Sequence, residues 1–142
     1  MPGPMGVARQ QEFLAEGTRT AILVTMRASG RPHAVPVWYA LDGSDIVVFT
    51  QADSVKGRAL RANPAVTVVV DDDRPPFAFV TVEGTAELSR EPAELRRCVG
   101  LIAERYLPPD KVADFIEYGA GPDNMLVRIH STHVISLDGG AD

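Results

Sequence analysis

What most constrains this chain is a succession of apolar runs, each too short for a helix and each bounded by turn residues. Thr20 to Met26 (TAILVTM) is dense and apolar, and Pro32 to Leu41 alternates Val35, Val37, Tyr39 and Leu41 against Ala34, Pro36, Trp38 and Ala40. Ala28-Ser29-Gly30-Arg31 between them has the composition of a hairpin turn. A second turn at Asp42-Gly43-Ser44 leads into a strand from Asp45 to Gln51, so these three strands are predicted to form a meander. Further strands are expected over Ala65 to Val70, Phe77 to Leu88 and Asn124 to Leu137. Gly84 marks a bulge, Ser131 a kink, and Asp71-Asp72-Asp73 an acidic loop before Pro75-Pro76. Six or so mostly meandering strands predict a mainly β chain, an antiparallel barrel with peripheral helices. Pro36 removes a ladder donor and marks an opening in the sheet where something flat can lie.

Helical periodicity supplies the rest. Within residues 1–16, Val7 to Ala15 reads as a short helix stopped by Gly17. Within 91–118, Pro92 opens a helix that puts Leu95, Cys98, Val99 and Ile102 on one face, and Asp110 to Tyr118 forms a second short helix. Residues 124–137 close the chain as a strand. A length of 142 residues, with neither repeat nor linker, suits a single domain that buries roughly two-thirds of its unfolded surface. The net charge of −5 excludes the broad basic face that nucleic acid or an anionic membrane requires. Cys98 is the only cysteine, so intramolecular disulfides and cysteine-based zinc sites are excluded. The N-terminal residues lack the pattern of an export signal, and no apolar run approaches the ~20 residues of a membrane span. A cytoplasmic protein is expected.

One segment departs from the acidic background. Asp53-Ser54-Val55-Lys56-Gly57-Arg58-Ala59-Leu60-Arg61-Ala62-Asn63-Pro64 reads as a helix over 54–62 whose first turns carry cations. A helix N-terminus disfavours each cation there by a few tenths of a kcal/mol to roughly 1 kcal/mol and attracts anions by a similar amount. Ser54 suits the N-cap, the next N–H groups point outward, and Gly57 lets a ligand approach the backbone. Two readings satisfy the pattern: a local phosphate site, or a solvated stripe of Lys56, Arg58 and Arg61 offset by Asp53.

No nucleophile motif, dinucleotide-binding turn or P-loop is present, so an enzyme of this sequence borrows its chemistry from a cofactor. No metal site is expected: three consecutive aspartates before a Pro-Pro pair read as a solvated charge run, and His130 and His133 do not converge in a strand. Cys98 on an apolar helix face behaves as a small hydrophobe. Trp38, Phe77 and Phe79 fit either a core or the wall of a site for a planar ring.

TAILVTM, SGRPHAVPVWYAL, VVFTQADSVKGRALRANPAVTVVV, FVTVEGTAEL and MLVRIHSTHVISL, in that order, resemble the pyridoxamine 5′-phosphate oxidase-like proteins from about Glu12 to Leu137. These are the flavin- and deazaflavin-binding split β-barrels, and the likeness is closest to their F420-dependent reductase branch. The resemblance implies a split antiparallel β-barrel of the FMN-binding type, with residues 18–89 as barrel strands around the helix at 54–62. It implies a homodimer with two cofactor sites at the interface, with Lys56 and Arg58 at the phosphate. Pro36, Val37 and Trp38, with Thr50 and Gln51, would face the ring, and Phe77 and Phe79 would line the substrate side, from either chain. Relatives often carry an asparagine where Ala59 stands here, which removes one polar contact. The activity implied is hydride transfer from the deazaflavin F420 to an electron-poor small organic substrate. An FMN-binding oxidase-like protein and a non-catalytic carrier of a flavin, deazaflavin or haem-derived ligand are the alternatives.

Overall fold

A computed structural model describes residues 1–140. The elements in chain order are α1 (Val7–Ala15), β1 (Ala21–Met26), β2 (Pro32–Val37), β3 (Ala40–Asp42), β4 (Asp45–Gln51), α2 (Val55–Ala62), β5 (Ala65–Asp72), β6 (Ala78–Ser89), α3 (Pro92–Tyr106), α4 (Pro109–Gly119) and β7 (Asn124–Asp138). The seven strands form one curled antiparallel sheet in the order β2-β1-β5-β6-β7-β4-β3. This is the split β-barrel architecture.

The expected three-strand meander does not form. The segment from Pro32 to Leu41 is two strands, β2 and β3, which lie at opposite edges of the sheet. The break falls at Trp38 and Tyr39 because both side chains are drawn out of the ladder. The Tyr39 ring is buried and its hydroxyl donates to the Leu14 carbonyl at 2.7 Å, while Trp38 stacks on Tyr106. Pro36 lies in an edge strand, where its missing N–H costs no ladder bond. The acidic loop is shorter than expected, since Asp71 and Asp72 belong to β5. Phe77 precedes β6 rather than opening it.

Alternation along the strands separates two cores. The concave face of the sheet carries Leu23, Val48, Val68, Val82, Val127 and Ile129 around Phe13 and Leu14 of α1 and Leu60 of α2. On the opposite side of β3, β4 and β7, Ala40, Val47 and Leu126 pack against Leu95, Cys98, Val99 and Ile102 of α3. The expected bulge is present: the β6–β7 register shifts between Glu83 and Gly84, leaving Thr132 without a cross-strand partner. A Cβ at Gly84 would meet the His130 carbonyl oxygen at 2.3 Å, so glycine is required for that approach.

Candidate functional site

The basic helix forms where the sequence places it. Ser54 is the N-cap of α2. Its Oγ donates to the Gln51 carbonyl at 2.8 Å and accepts from the Gly57 N–H at 3.1 Å. With its one proton committed, it also accepts from the buried Thr50 hydroxyl at 3.1 Å. Thr50 therefore braces the cap from the barrel interior, and Gln51 contributes its carbonyl. Gly57 is also required by the chain's own packing. A Cβ there would lie 2.3 Å from the Gln51 oxygen and 2.7 Å from the Ala52 oxygen, so the bare backbone admits the chain's own β4–α2 turn.

The cations of this helix divide into two kinds. Arg61 pairs with Asp53 at 3.1 Å. Lys56 and Arg58 have no carboxylate partner among the described residues, although Lys56 is half-buried. Burial pushes the Lys56 ammonium below its ordinary pKa, because a charge taken from water without a counter-ion is destabilised. Arg58 and the β1–β2 hairpin residue Arg27, with Ala28, Val55, Ala59 and Ala62, line a depression of about 230 Å³. Arg27 is a cation that spacing along the chain does not reveal, since the hairpin meets α2 only in the folded state. At the same end of β1, the Thr25 hydroxyl and the His33 Nδ1 are buried without a hydrogen-bond partner, on paired residues. An anion in this depression would offer acceptors to the guanidinium groups of Arg27 and Arg58, whereas Lys56, two residues from Arg58 on the helix, does not line it.

A second depression, of about 380 Å³, is lined by Thr20, Pro36, Val37 and Trp38. Ile22 pairs with Pro36 and Met26 with Pro32, so this depression and the basic end of β1 are separated by four residues, roughly 13 Å along the strand. Trp38 is 37% exposed, stacked on Tyr106 at 4.7 Å and 4° and tilted against Phe115 at 5.5 Å. It is at once part of an aromatic cluster with α3 and α4 and part of an open surface.

Within one chain neither Phe77, just before β6, nor Phe79 on β6 lines this depression. Three strand spacings, roughly 14 Å, separate β6 from β2. Phe79 lies on the convex face, paired with Asp71 and Leu137. Phe77 is 55% exposed with φ of 66°, a left-handed conformation unusual for a bulky residue. Thr50 and Gln51 point to opposite faces of β4, and only Thr50 is buried.

Two acidic clusters elsewhere are held by arginines. Asp72 accepts from Arg19 and Arg74, while Asp42 and Glu94, which cluster with Cys98 within 4.8 Å, each accept from Arg97 and Arg128, and the Cys98 sulfur accepts from Arg128. Burial raises the Cys98 thiol pKa, which keeps it protonated.

The sequence model of the family described as pyridoxamine 5′-phosphate oxidase matches residues 8–135. The chain belongs to the pyridoxamine 5′-phosphate oxidase family. Among solved structures, a conserved hypothetical protein from Mycobacterium tuberculosis is 30% identical, with a TM-score of 0.85 over 96% of this chain and 86% of that one. An F420 reductase is 25% identical, with a TM-score of 0.65 over 87% of this chain and 94% of its own. An FAD-binding protein from Mesorhizobium loti, 20% identical with a TM-score of 0.72 over 96% and 97%, shares the fold. No curated protein matches the sequence. No helix among the described residues is long and apolar enough to cross a membrane. As a pyridoxamine 5′-phosphate oxidase family member, the chain has a flavin-type cofactor fold, with the depressions lined by Arg27 and Arg58 and by Pro36, Val37 and Trp38 toward opposite ends of the β1–β2 pair.

Proposed function

We propose that this protein is an oxidoreductase that uses the deazaflavin F420 to pass a hydride to an electron-poor small organic substrate. The observation that carries the reading is the half-buried, unpaired Lys56 beside Arg58 at the capped end of α2. Partial burial without a carboxylate partner among the described residues costs the Lys56 ammonium some of its hydration, and a phosphate there would offset that desolvation. Lys56, Arg58 and Arg27 would hold the phosphate-bearing arm, and Pro36, Val37 and Trp38 the ring. When bound in its reduced form, F420 would supply the two-electron hydride donor. The chain orients the ring against its apolar wall and limits water, and solvent supplies the proton.

The site would be shared by two chains. The convex face of β2, β1, β5, β6 and β7 presents a row of cross-strand neighbours, Pro36, Ile22, Val69, Thr81 and Ile135, with Leu137 beside it. Ile22 and Ile135 are 39% and 46% exposed, and an apolar row of this length on a sheet suits a second copy. Phe77 and Phe79 would then reach the depression from the partner.

Parallel titration with F420 and FMN tests the reading. Tight F420 binding, weaker FMN binding and a loss of more than about tenfold on joint Lys56→Ala and Arg58→Ala substitution support it, since each charge-assisted bond is worth roughly 1.5–3 kcal/mol. Preference for FMN would replace the deazaflavin with a flavin, and binding of neither would reject the site.

A further inference from the structure

The last turn of α3 ties together segments that are far apart in sequence. The Tyr106 hydroxyl donates to the Arg19 carbonyl at 2.6 Å and accepts from the Tyr39 N–H at 3.3 Å. Arg19 precedes Thr20, and Tyr39 follows Trp38, so one hydroxyl holds both flanks of the depression lined by Thr20, Pro36, Val37 and Trp38. The ring of the same tyrosine covers one face of the Trp38 indole, nearly parallel to it. The preceding residue reinforces the knot: Arg105 donates to the Leu14 and Glu16 carbonyls and to the Tyr39 hydroxyl, and its guanidinium lies 4.2 Å from the centre of the Tyr39 ring.

The geometry is that of a clamp. Without Tyr106 the indole would lose its stacking partner, and the segments on either side of the depression would lose their common tether. Both effects act on the ring end of the site and neither touches Lys56, Arg58 or Arg27.

We propose that Tyr106 is the positioning residue of the ring end, holding the Trp38 indole and both flanks of the depression in the arrangement that receives a flat aromatic ligand. The inference rests on the cofactor reading above. Its consequence is that α3, which contributes no residue to the lining of that depression, sets the affinity for the ring but not for the phosphate.

Trp38 is the only tryptophan of the chain, so its emission reports the stack directly. The test titrates the unsubstituted protein, Tyr106→Phe and Tyr106→Leu with F420 and FMN, and measures inhibition of that binding by inorganic phosphate. Tyr106→Leu is expected to shift the Trp38 emission and weaken ring-bearing ligands by at least about fivefold, the loss of a stacked aromatic pair. Tyr106→Phe keeps the ring and the emission maximum and loses only the tether, with an intermediate fall in affinity. The inhibition constant for phosphate stays the same in all three. Unchanged affinity in both variants overturns the inference, as does a parallel loss of ring and phosphate binding in Tyr106→Phe, which would make the role one of general stability. Should Tyr106→Leu fail to fold, Tyr106→Phe alone decides between these results. If the unsubstituted protein binds neither F420 nor FMN, the cofactor reading fails and the inference falls with it.

Discussion

At Lys56 a single ammonium carries the conflict that makes the site legible. Its pKa is lowered by burial, so the unfolded chain holds the proton more tightly than the folded one. Between the folded and unfolded pKa values stability therefore rises with pH, and a bound anion reverses the sign by stabilising the protonated form. Affinity for a phosphate-bearing cofactor is expected to fall as alkaline pH deprotonates Lys56, and Lys56→Arg should flatten that dependence; titrations from neutral to alkaline pH check it. Gly57 poses a second question of sign. Glycine in a helix is ordinarily improved by alanine by up to roughly 1 kcal/mol. Here the added Cβ would strike two carbonyl oxygens of the chain's own turn, so Gly57→Ala is expected to destabilise by about 1–3 kcal/mol in urea unfolding. Ser54→Ala should cost about 1 kcal/mol through loss of the cap, and it also leaves the Thr50 hydroxyl without its acceptor.

At the scale of elements, α3 is held to the sheet by charge as well as by its apolar face. Arg128 of β7 donates to Asp42, Asp45 and Glu94, and Arg97 of α3 donates to Asp42 and Glu94. Arg97 and Arg128 together hold the Asp42 carboxyl down to about 2. A carboxyl with a depressed folded pKa contributes its stability above the ordinary value of 3.8 and loses it as pH falls toward 2. Urea midpoints measured from pH 5 to pH 2 should fall across that window, and Asp42→Asn should reduce the slope. The lone cysteine on the same face stays protonated, consistent with its expected role as a small hydrophobe.

At the scale of the molecule, the concave side of the sheet is filled, α3 covers the convex side at β3, β4 and the start of β7, and the convex row through Ile22 and Ile135 is left largely apolar and exposed. Light scattering is expected to give about twice the sequence mass, and Ile22→Glu with Ile135→Glu should return it to that of one chain. Each introduced carboxylate would be buried in an apolar contact without a counter-charge. Loss of cofactor binding in the same variant would follow from a site built by both chains, whereas a monomer of full affinity would remove the shared-site proposal.

Strand positions, the Gly84 bulge, the Ser54 cap and the apolar stripe of α3 were legible because each rests on local periodicity or local backbone sterics. The lysine and arginines of α2 were visible as a charge anomaly, yet which of them is unpaired was not: Arg61 turns back to Asp53 while Arg58 meets Arg27 from a distant hairpin. The residues from Pro32 to Leu41 alternate as one strand would, and only burial of Tyr39 and stacking of Trp38 on Tyr106 divide them between opposite edges. The sequence by itself determined most of the elements and the positive charge of α2. Only the tertiary structure decided which cations remain without carboxylate partners among the described residues, which side chains brace Trp38 and which sheet face carries the exposed apolar row, because those depend on contacts between residues tens of positions apart that no local pattern encodes.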